Sequence, residues 1–507
     1  MESLRENGSQ PSGLAEVLQQ AWPAALTMLM PTVTRFVDGL MVSHMGAQAG
    51  AEALAAQSIA GIVAFVPESL AMGMLTVVST YISQNVGAGR DRRCGQYVWA
   101  GMILAIGSAF LIALTAFKAD WLFSFYTNHT SEVRRMEAMY YRYMVVGAFF
   151  SLPTRVLDQF FFGIHRPRIV FRVSMGSAAV NVLGNYALIY GRLGLPAMGL
   201  EGAAISSVAS WGVNLVLLTI VFLRPTFHRR FLTRFWRLTR GRHVKDILAI
   251  GYASGLQFCN EILGWSVFMG YLVGKFGTVH LAASTIAMRY MSISFMPAVG
   301  INIAATAIVG KYVGAGRHDL ARRRAHTAVK AGMVYMGTWA IAFLAFGGPL
   351  VRLFTVQAGE APELVDQIVS TGRQILICAA VFQLFDALGI VYVGALRGAG
   401  DTRWPMVATI LMSWGVTVGG GLAMVRLFPA LESLGPWIAA SVYVSALGLL
   451  LAWRFESGAW ENIDLLQRQA VESSPAPQEV APTLPESLPA PRPKVPGAKS
   501  PSTDLGH

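Results

Sequence analysis

Leu54-Ala55-Ala56 … Gly73 … Gly87-Ala88-Gly89-Arg90 returns about 230 residues later as Leu281-Ala282-Ala283 … Gly300 … Gly314-Ala315-Gly316-Arg317, with Gly46 and Gly277 ahead of the two copies. Gly163 and Arg166 stand in a similar relation to Gly394 and Arg397. Both copies are apolar enough to live in a bilayer. Duplicated hydrophobic segments are a common build for membrane carriers, in which the solute site lies between the repeats. Function is therefore to be sought at that interface.

A chain of 507 residues that is 54% hydrophobic and 13% charged has too little charge to cover a soluble surface of its size. It reads as an all-α integral membrane protein. The net charge of +12 falls in short clusters between apolar stretches rather than on one continuous face, which fits membrane topology and excludes nucleic acid as a partner. Cys94, Cys259 and Cys378 lie far apart without the spacing of a metal site, and read as small apolar packers. The polar residues before Gly13 carry as much acid as base, and a stretch long enough to span follows them, so no cleavable leader is expected.

Apolar runs long enough to cross a bilayer fall at approximately 14–41, 53–80, 96–117, 136–162, 169–190, 200–223, 246–273, 282–309, 325–346, 367–394, 404–427 and 435–455. Twelve spans in two sets of six enter the membrane in the same direction, as parallel repeats about an axis near the membrane normal. The expected division is a tail at 1–13, a first lobe at 14–223, a basic linker at 224–245, a second lobe at 246–458 and a Pro/Ala-rich disordered tail at 459–507, where the composition changes abruptly from about Ser473. Basic residues concentrate in alternate loops, at Arg90, Arg92 and Arg93, at Arg166 and Arg168, through Arg224 to Lys245, and at Arg317 and Arg397, which places both termini and the linker in the cytoplasm. Within the linker, Phe231, Phe235 and Trp236 among arginines suit either a lipid-facing amphipathic helix or a plain connector. The G-x-x-x-x-G-K-[ST] phosphate loop is absent and no soluble domain is long enough to hydrolyse a nucleotide, so any pumping must draw on an ion gradient.

Ionisable side chains inside apolar spans cost about 2.5–3.5 kcal/mol each to insert, so each calls for a reason. They are Arg35, Asp38, Glu68, Arg155, Asp158, Glu261, Arg289 and Asp386. Arg35 with Asp38 and Arg155 with Asp158 are three apart and can neutralise each other on one helix face. Glu261 and Asp386 have no such local cation, and must be protonated, paired across helices or bound to an ion. A fixed pair with Arg289 is the alternative. Glu68, behind the potential bend at Pro67, also lacks a local cation. On the fifth span Ser174, Ser177, Asn181 and Asn185 form a polar stripe, which serves equally as glue between helices or as amide partners for an acid such as Asp38.

Taken in order, Val37-Asp38-Gly39-Leu40-Met41-Val42, Gln84-Asn85-Val86-Gly87-Ala88-Gly89, Asn181 … Asn185-Tyr186, Glu261, Val313-Gly314-Ala315-Gly316-Arg317 and Gln383-Leu384-Phe385-Asp386-Ala387 followed by Leu396-Arg397-Gly398-Ala399-Gly400-Asp401 resemble the multidrug and toxic compound extrusion (MATE) transporters of the NorM-like branch over residues 14–458. The resemblance implies twelve transmembrane helices in two pseudosymmetric six-helix bundles around a central cavity. It further implies a bacterial inner-membrane antiporter, not an enzyme, that exports organic and often aromatic cations in exchange for protons or sodium. Asp38, Glu261 and Asp386 take the places of the coupling acids, and Asn181 and Asn185 those of amide partners, so the resemblance raises Asp38 above the local pairing with Arg35. Where relatives often have a tyrosine before the tenth-span acid and a glutamine after it, this chain has Phe382 and Gly389. Losing those oxygen ligands favours protons over sodium at Glu261 and Asp386.

Glu68, Gln257, Trp265, Arg289, Tyr290, Phe382 and Gln383 complete the expected cavity lining, where aromatic residues can hold flat cations or simply pack. No cofactor is expected, and the chain is expected to act as a monomer in the lipid bilayer. A flippase or exporter for lipid-linked or anionic metabolites on the same fold remains the alternative; such a protein needs cations along its cavity, whereas the unpaired intramembrane charges here are mainly acidic.

Overall fold

The computed structural model describes residues 12–45, 47–355 and 362–466. Gly46 and the tail beyond Leu466 lie outside the described residues. Twelve long helical segments run through the rest. The first six are α1 (Gly13–Ser43), α2 (Ala47–Leu75, resumed after Thr76 as Val77–Gly87), α3 (Cys94–Leu114), α4 (Ser131–Gly163), α5 (Pro167–Ile189) and α6 (Gly199–Phe222). The second six are α7 (Gly241–Val267, extended by a π-turn Phe268–Val273), α8 (Thr278–Gly314), α9 (His318–Thr355), α10 (Pro362–Ala399), α11 (Arg403–Met412, carried through a π-segment Ser413–Gly420 to Gly421–Leu427) and α12 (Leu434–Glu456).

Local chemistry sets the ends. Ser12 accepts from the Ala15 amide to start α1, Thr130 accepts from Val133 to start α4, and Pro167 occupies the first turn of α5, where a missing N–H costs nothing. At the other ends of α2 and α8 the repeated Gly-Ala-Gly-Arg makes the same turn twice. Gly89 and Gly316 both sit at φ 71°, and the Arg90 and Arg317 amides reach back to the Asn85 and Tyr312 carbonyls at 2.8 and 2.9 Å. Only glycine adopts that left-handed backbone without penalty.

Nine of the described helical spans are apolar and long enough to cross a bilayer, and the three that fall short of that measure are α4, α5 and α7. These are the helices that carry Arg155 and Asp158, Asn181 and Asn185, and Glu261. Packing inside the bundles is duplicated. α2 on α4, α3 on α4, α4 on α6, α5 on α6 and α1 on α5 in the first bundle answer to α8 on α10, α9 on α10, α10 on α12, α11 on α12 and α7 on α11 in the second. Between bundles α1 lies on α8 and α7 on α2, which are again equivalent contacts.

The repeated glycines are the places where backbone meets backbone. A Cβ on Gly87 would overlap the Lys311 carbonyl oxygen, and one on Gly314 the Gln84 carbonyl oxygen; Gly73 faces the Ser254 carbonyl and Gly300 the Ala25 amide. All four join the two bundles. The later pair needs a correction: Gly163 packs on Ser79, and the glycine on the equivalent Thr306 is Gly398, one turn beyond Gly394. α10 has 38 residues against the 33 of α4, about a turn more ahead of this glycine, so spacing in the chain and equivalence in space diverge there.

Two expected boundaries also move. Residues 241–245 open α7, and the linker reduces to a short helix Pro225–Phe231 and a 3₁₀ turn Trp236–Leu238. Its Phe231 is buried against Phe160 of the first bundle, while Phe235 and Trp236 are exposed. Residues 459–466, expected in the tail, instead fold back: Trp460 is fully buried and donates to the Phe455 carbonyl at 2.8 Å.

Candidate functional site

The loops at 88–93, 164–166, 223–240, 315–317 and 400–402 lie at one end of the bundles, here called the basic end. Contacts between the bundles extend from Cys259 on Val66 and Gly300 on Ala25 down to this end. There Thr80 donates to the Arg397 carbonyl at 2.9 Å, Gln84 to the Gly398 carbonyl at 2.9 Å, and Glu16 of α1 pairs with Lys311 at 3.2 Å and Arg324 at 2.8 Å. Toward the far end the same helices carry exposed Phe36, Leu40, Ile62, Leu281 and Ile293.

The first bundle holds a buried polar cluster. Asp38, 5% exposed, accepts from the Asn185 side-chain amide, and Asn185 in turn donates to Asn181 at 3.4 Å. Asn181 reaches Ser207 at 3.4 Å, so the polar stripe of α5 is tied to α6 on one side and offers its amide to α1 on the other. It is both glue and partner. Arg35 stays within electrostatic range of Asp38 but closes no direct ion pair with it, because the amide from α5 takes the carboxylate and the Arg35 guanidinium lies 5.6 Å over the Phe65 ring. Arg155 and Asp158 do pair, at 3.7 Å. Glu68 is 8% exposed and accepts from Ser151 of α4, with Arg155 and Arg35 in electrostatic range, so it belongs to this cluster.

In the second bundle Glu261 of α7 and Asp386 of α10 lie within electrostatic range of each other, with Arg397 in range of Glu261 and Tyr443 of α12 in range of both acids. Arg397 and Tyr443 had no place among the sequence candidates. A loop arginine by its position in the chain, Arg397 lies in the last turn of α10 and reaches Asn302 of α8 at 3.5 Å. The expected alternative, a fixed pair of either acid with Arg289, does not form: that guanidinium lies 5.7 Å over Phe354.

Several expected cavity residues are corrected. Tyr290, Phe382 and Gln383 are 7%, 4% and 1% exposed and face the interior of the second bundle; Tyr290 donates to the Leu350 carbonyl and Gln383 to Ser294. Helices at the centre of a bundle have more than one face hidden from lipid, and these three lie on the packed one. Gln257 donates to Thr409 of α11 at 3.0 Å, and Trp265 packs on Phe268 and Trp437. Among the described residues no group of three or more His, Cys, Asp or Glu is gathered for a metal ion.

The MatE family profile matches this chain twice, over residues 23–187 and 254–419, one match in each bundle. The chain belongs to the MatE family. It is 27% identical over 448 residues to the "Multidrug resistance protein NorM" of Burkholderia vietnamiensis, covering 86% of this chain and 92% of that one. The "Probable multidrug resistance protein NorM" of Thermotoga maritima is 26% identical over 463 residues, covering 90% and 95%. Among solved structures, an outward-facing multidrug resistance MATE family transporter of the MOP superfamily superposes with a TM-score of 0.76 at 20% identity, over 89% of this chain and 97% of that one. A MOP superfamily transporter from Pyrococcus furiosus gives a TM-score of 0.78 at 19% identity, over 89% and 97%. This MatE chain is thus a multi-pass membrane transporter of the multidrug efflux type, and not an enzyme.

Proposed function

We propose that this protein is a secondary antiporter of the bacterial inner membrane that exports organic, often aromatic, cations in exchange for protons, with its basic end and both termini in the cytoplasm. The observation that carries the proposal is the pair Glu261 and Asp386, two acids from different helices within electrostatic range of each other, with one cation, Arg397, in range of Glu261. Two carboxylates against one guanidinium cannot both be neutralised by it. One proton or one cationic guest completes the balance. Asp38, held by Asn185 in the first bundle, supplies the same choice on the opposite wall.

A cycle follows from that competition. With the acids ionised, the cleft attracts an organic cation; protonation removes the attraction and releases it, and the two bundles rock between openings at either end. Sodium suits the second cluster less well, because a hard cation wants several oxygens and here Glu261 already has a guanidinium for company. The rival, an exporter of lipid-linked or anionic metabolites, would place cations rather than acids at the centre of the bundle.

The test is ethidium efflux from cells in which the proton and sodium gradients are collapsed separately, with Glu261→Gln and Asp386→Asn alongside. Both substitutions are expected to abolish efflux with normal amounts of protein in the membrane, and collapse of the proton gradient alone to do the same. Full efflux by the double variant would end the coupling proposal.

A further inference from the structure

The export cycle gives no task to the linker between α6 and α7, whose place against the membrane is fixed by the base of α3. A Cβ on Gly95 would overlap the Phe231 carbonyl oxygen, the Trp99 indole donates to the Thr233 carbonyl at 2.8 Å, and the Thr239 hydroxyl donates to the Gln96 carbonyl at 3.3 Å. Trp99, Ile103, Ile106 and Phe110 recur at three and four residues and so share a face of α3, on which the last three are exposed. That stripe is turned to lipid. At about 1.5 Å per residue Ile103 stands roughly 6 Å beyond the turn that holds Thr233, so the linker lies just outside the hydrocarbon, at the depth of the headgroups.

What the linker presents at that depth is aromatic and cationic. Phe231 anchors it, buried against Phe160, and Phe235 is steadied by the His228 ring at 5.1 Å. Phe235 and Trp236 are nevertheless 51% and 60% exposed. The fold can hide such a side chain at this end, since the segment after α12 buries Trp460 completely. Of Arg224, Arg229, Arg230, Arg234, Arg237 and Arg240, only Arg230 closes an ion pair among the described residues, with Asp91 at 2.6 Å. Arg237 lies 5.7 Å over the Trp236 ring, and Arg234 donates its Nε–H to the Leu223 carbonyl at 2.9 Å, a bond that engages one of its five N–H groups. Charge alone orients a chain in a bilayer; exposed rings beside it add a grip on acyl chains.

We propose that linker residues 229–237 form a docking surface for an anionic phospholipid of the leaflet that borders the basic end, with phosphatidylglycerol as its simplest occupant. Arg229, Arg234 and Arg237 take the phosphodiester, and Phe235 and Trp236 enter the upper part of the acyl chains. The lipid binds where the chain passes from the first bundle to α7, and its recognition is independent of the solute and of the coupling ion.

The test places the full-length protein in phosphatidylcholine nanodiscs and exchanges in lipid with brominated acyl chains, which quench indole fluorescence on contact. The Trp236 signal is read as the difference between each protein and its Trp236→Phe counterpart. Each arginine near an anionic surface strengthens the attraction about fivefold, so half-maximal quenching is expected at an about tenfold lower fraction of brominated phosphatidylglycerol than of brominated phosphatidylcholine. Arg229→Gln combined with Arg237→Gln should bring that preference down to about twofold or less, while continued quenching by either lipid reports a folded, inserted protein. Arg317→Gln combined with Arg323→Gln removes the same charge from exposed positions at the basic end of the second bundle, and should leave the preference unchanged. Equal quenching by the two lipids in the wild type, or a preference that survives the first pair of substitutions, would overturn the proposal. So would a preference lost equally with the second pair, which would make it a general field of the basic end. Glycerol phosphate, which has the anion without the chains, is expected not to compete; full competition would assign the surface to a free phosphate and sink the lipid reading.

Discussion

His165, in the turn between α4 and α5, has a left-handed backbone at φ 59° and both ring nitrogens buried without a partner among the described residues. Burial, with Lys311 nearby, pushes its pKa down to about 3, against a partial pull upward from Glu16. The ring therefore refuses a proton that the unfolded chain accepts below about 6.5, and stability should fall with pH from there toward 3, by at most about 1.4 kcal/mol per pH unit. In melts of the detergent-solubilised protein, the midpoint is expected to drop more between pH 7 and 5 for the wild type than for His165→Asn, a residue that tolerates the same backbone; parallel slopes would contradict this. At this scale the candidate site was partly legible. Glu261, Asp386 and Asn185 stood out because a charge or amide in an apolar span demands a partner. Arg397 was hidden, because its residence beside Gly398-Ala399-Gly400 marks a helix end and says nothing of where a long side chain reaches. Tyr290, Phe382 and Gln383 were misread for the opposite reason, since a stretch of sequence does not distinguish the cleft face of a helix from its packed one.

Among the elements, the twin helix ends of α2 and α8 separate two kinds of glycine. Gly89 has open space around it, so Gly89→Ala meets only the left-handed backbone and is expected to cost about 1–2 kcal/mol. Gly87→Ala, two residues earlier, drives a methyl group into the Lys311 carbonyl and should prevent the bundles from closing at the basic end. Thermal unfolding and dye efflux measured on both variants check this: Gly89→Ala should lose stability and keep efflux, and Gly87→Ala should lose efflux. Repetition made these glycines conspicuous in the chain, yet what they touch is a property of two helices and not of one. The π-turns in α7 and α11 were not legible at all, because a widened turn leaves no residue signature of its own.

For the whole molecule, apolar run length and an even count of spans per repeat were enough to reach two equivalent bundles; how firmly they meet was not. Glu16, from the first turn of α1, receives Lys311 at 3.2 Å, Tyr312 at 3.1 Å and Arg324 at 2.8 Å from the other bundle. Bonds to a charged group contribute about 1.5–3 kcal/mol, so Glu16→Gln should shift the closed-to-open ratio at the basic end by about tenfold or more. Hydrogen exchange of residues 80–88 and 308–316 should speed up accordingly, and unchanged protection would remove Glu16 from this role. The paired contacts α1 on α8 and α7 on α2 are those that two identical six-helix chains would make as a dimer. An ancestral half-length protein could thus have worked as a homodimer before its gene fused to itself. That route is now closed to either half alone. Glu68, five residues before Gly73, has Phe295 as its counterpart five before Gly300, and only the second half carries Glu261 and Asp386. Severed within 232–240, the present chain should regain transport when its unlike halves are made together, while a doubled first half would have the seams to assemble and Asp38 without the Glu261 and Asp386 pair.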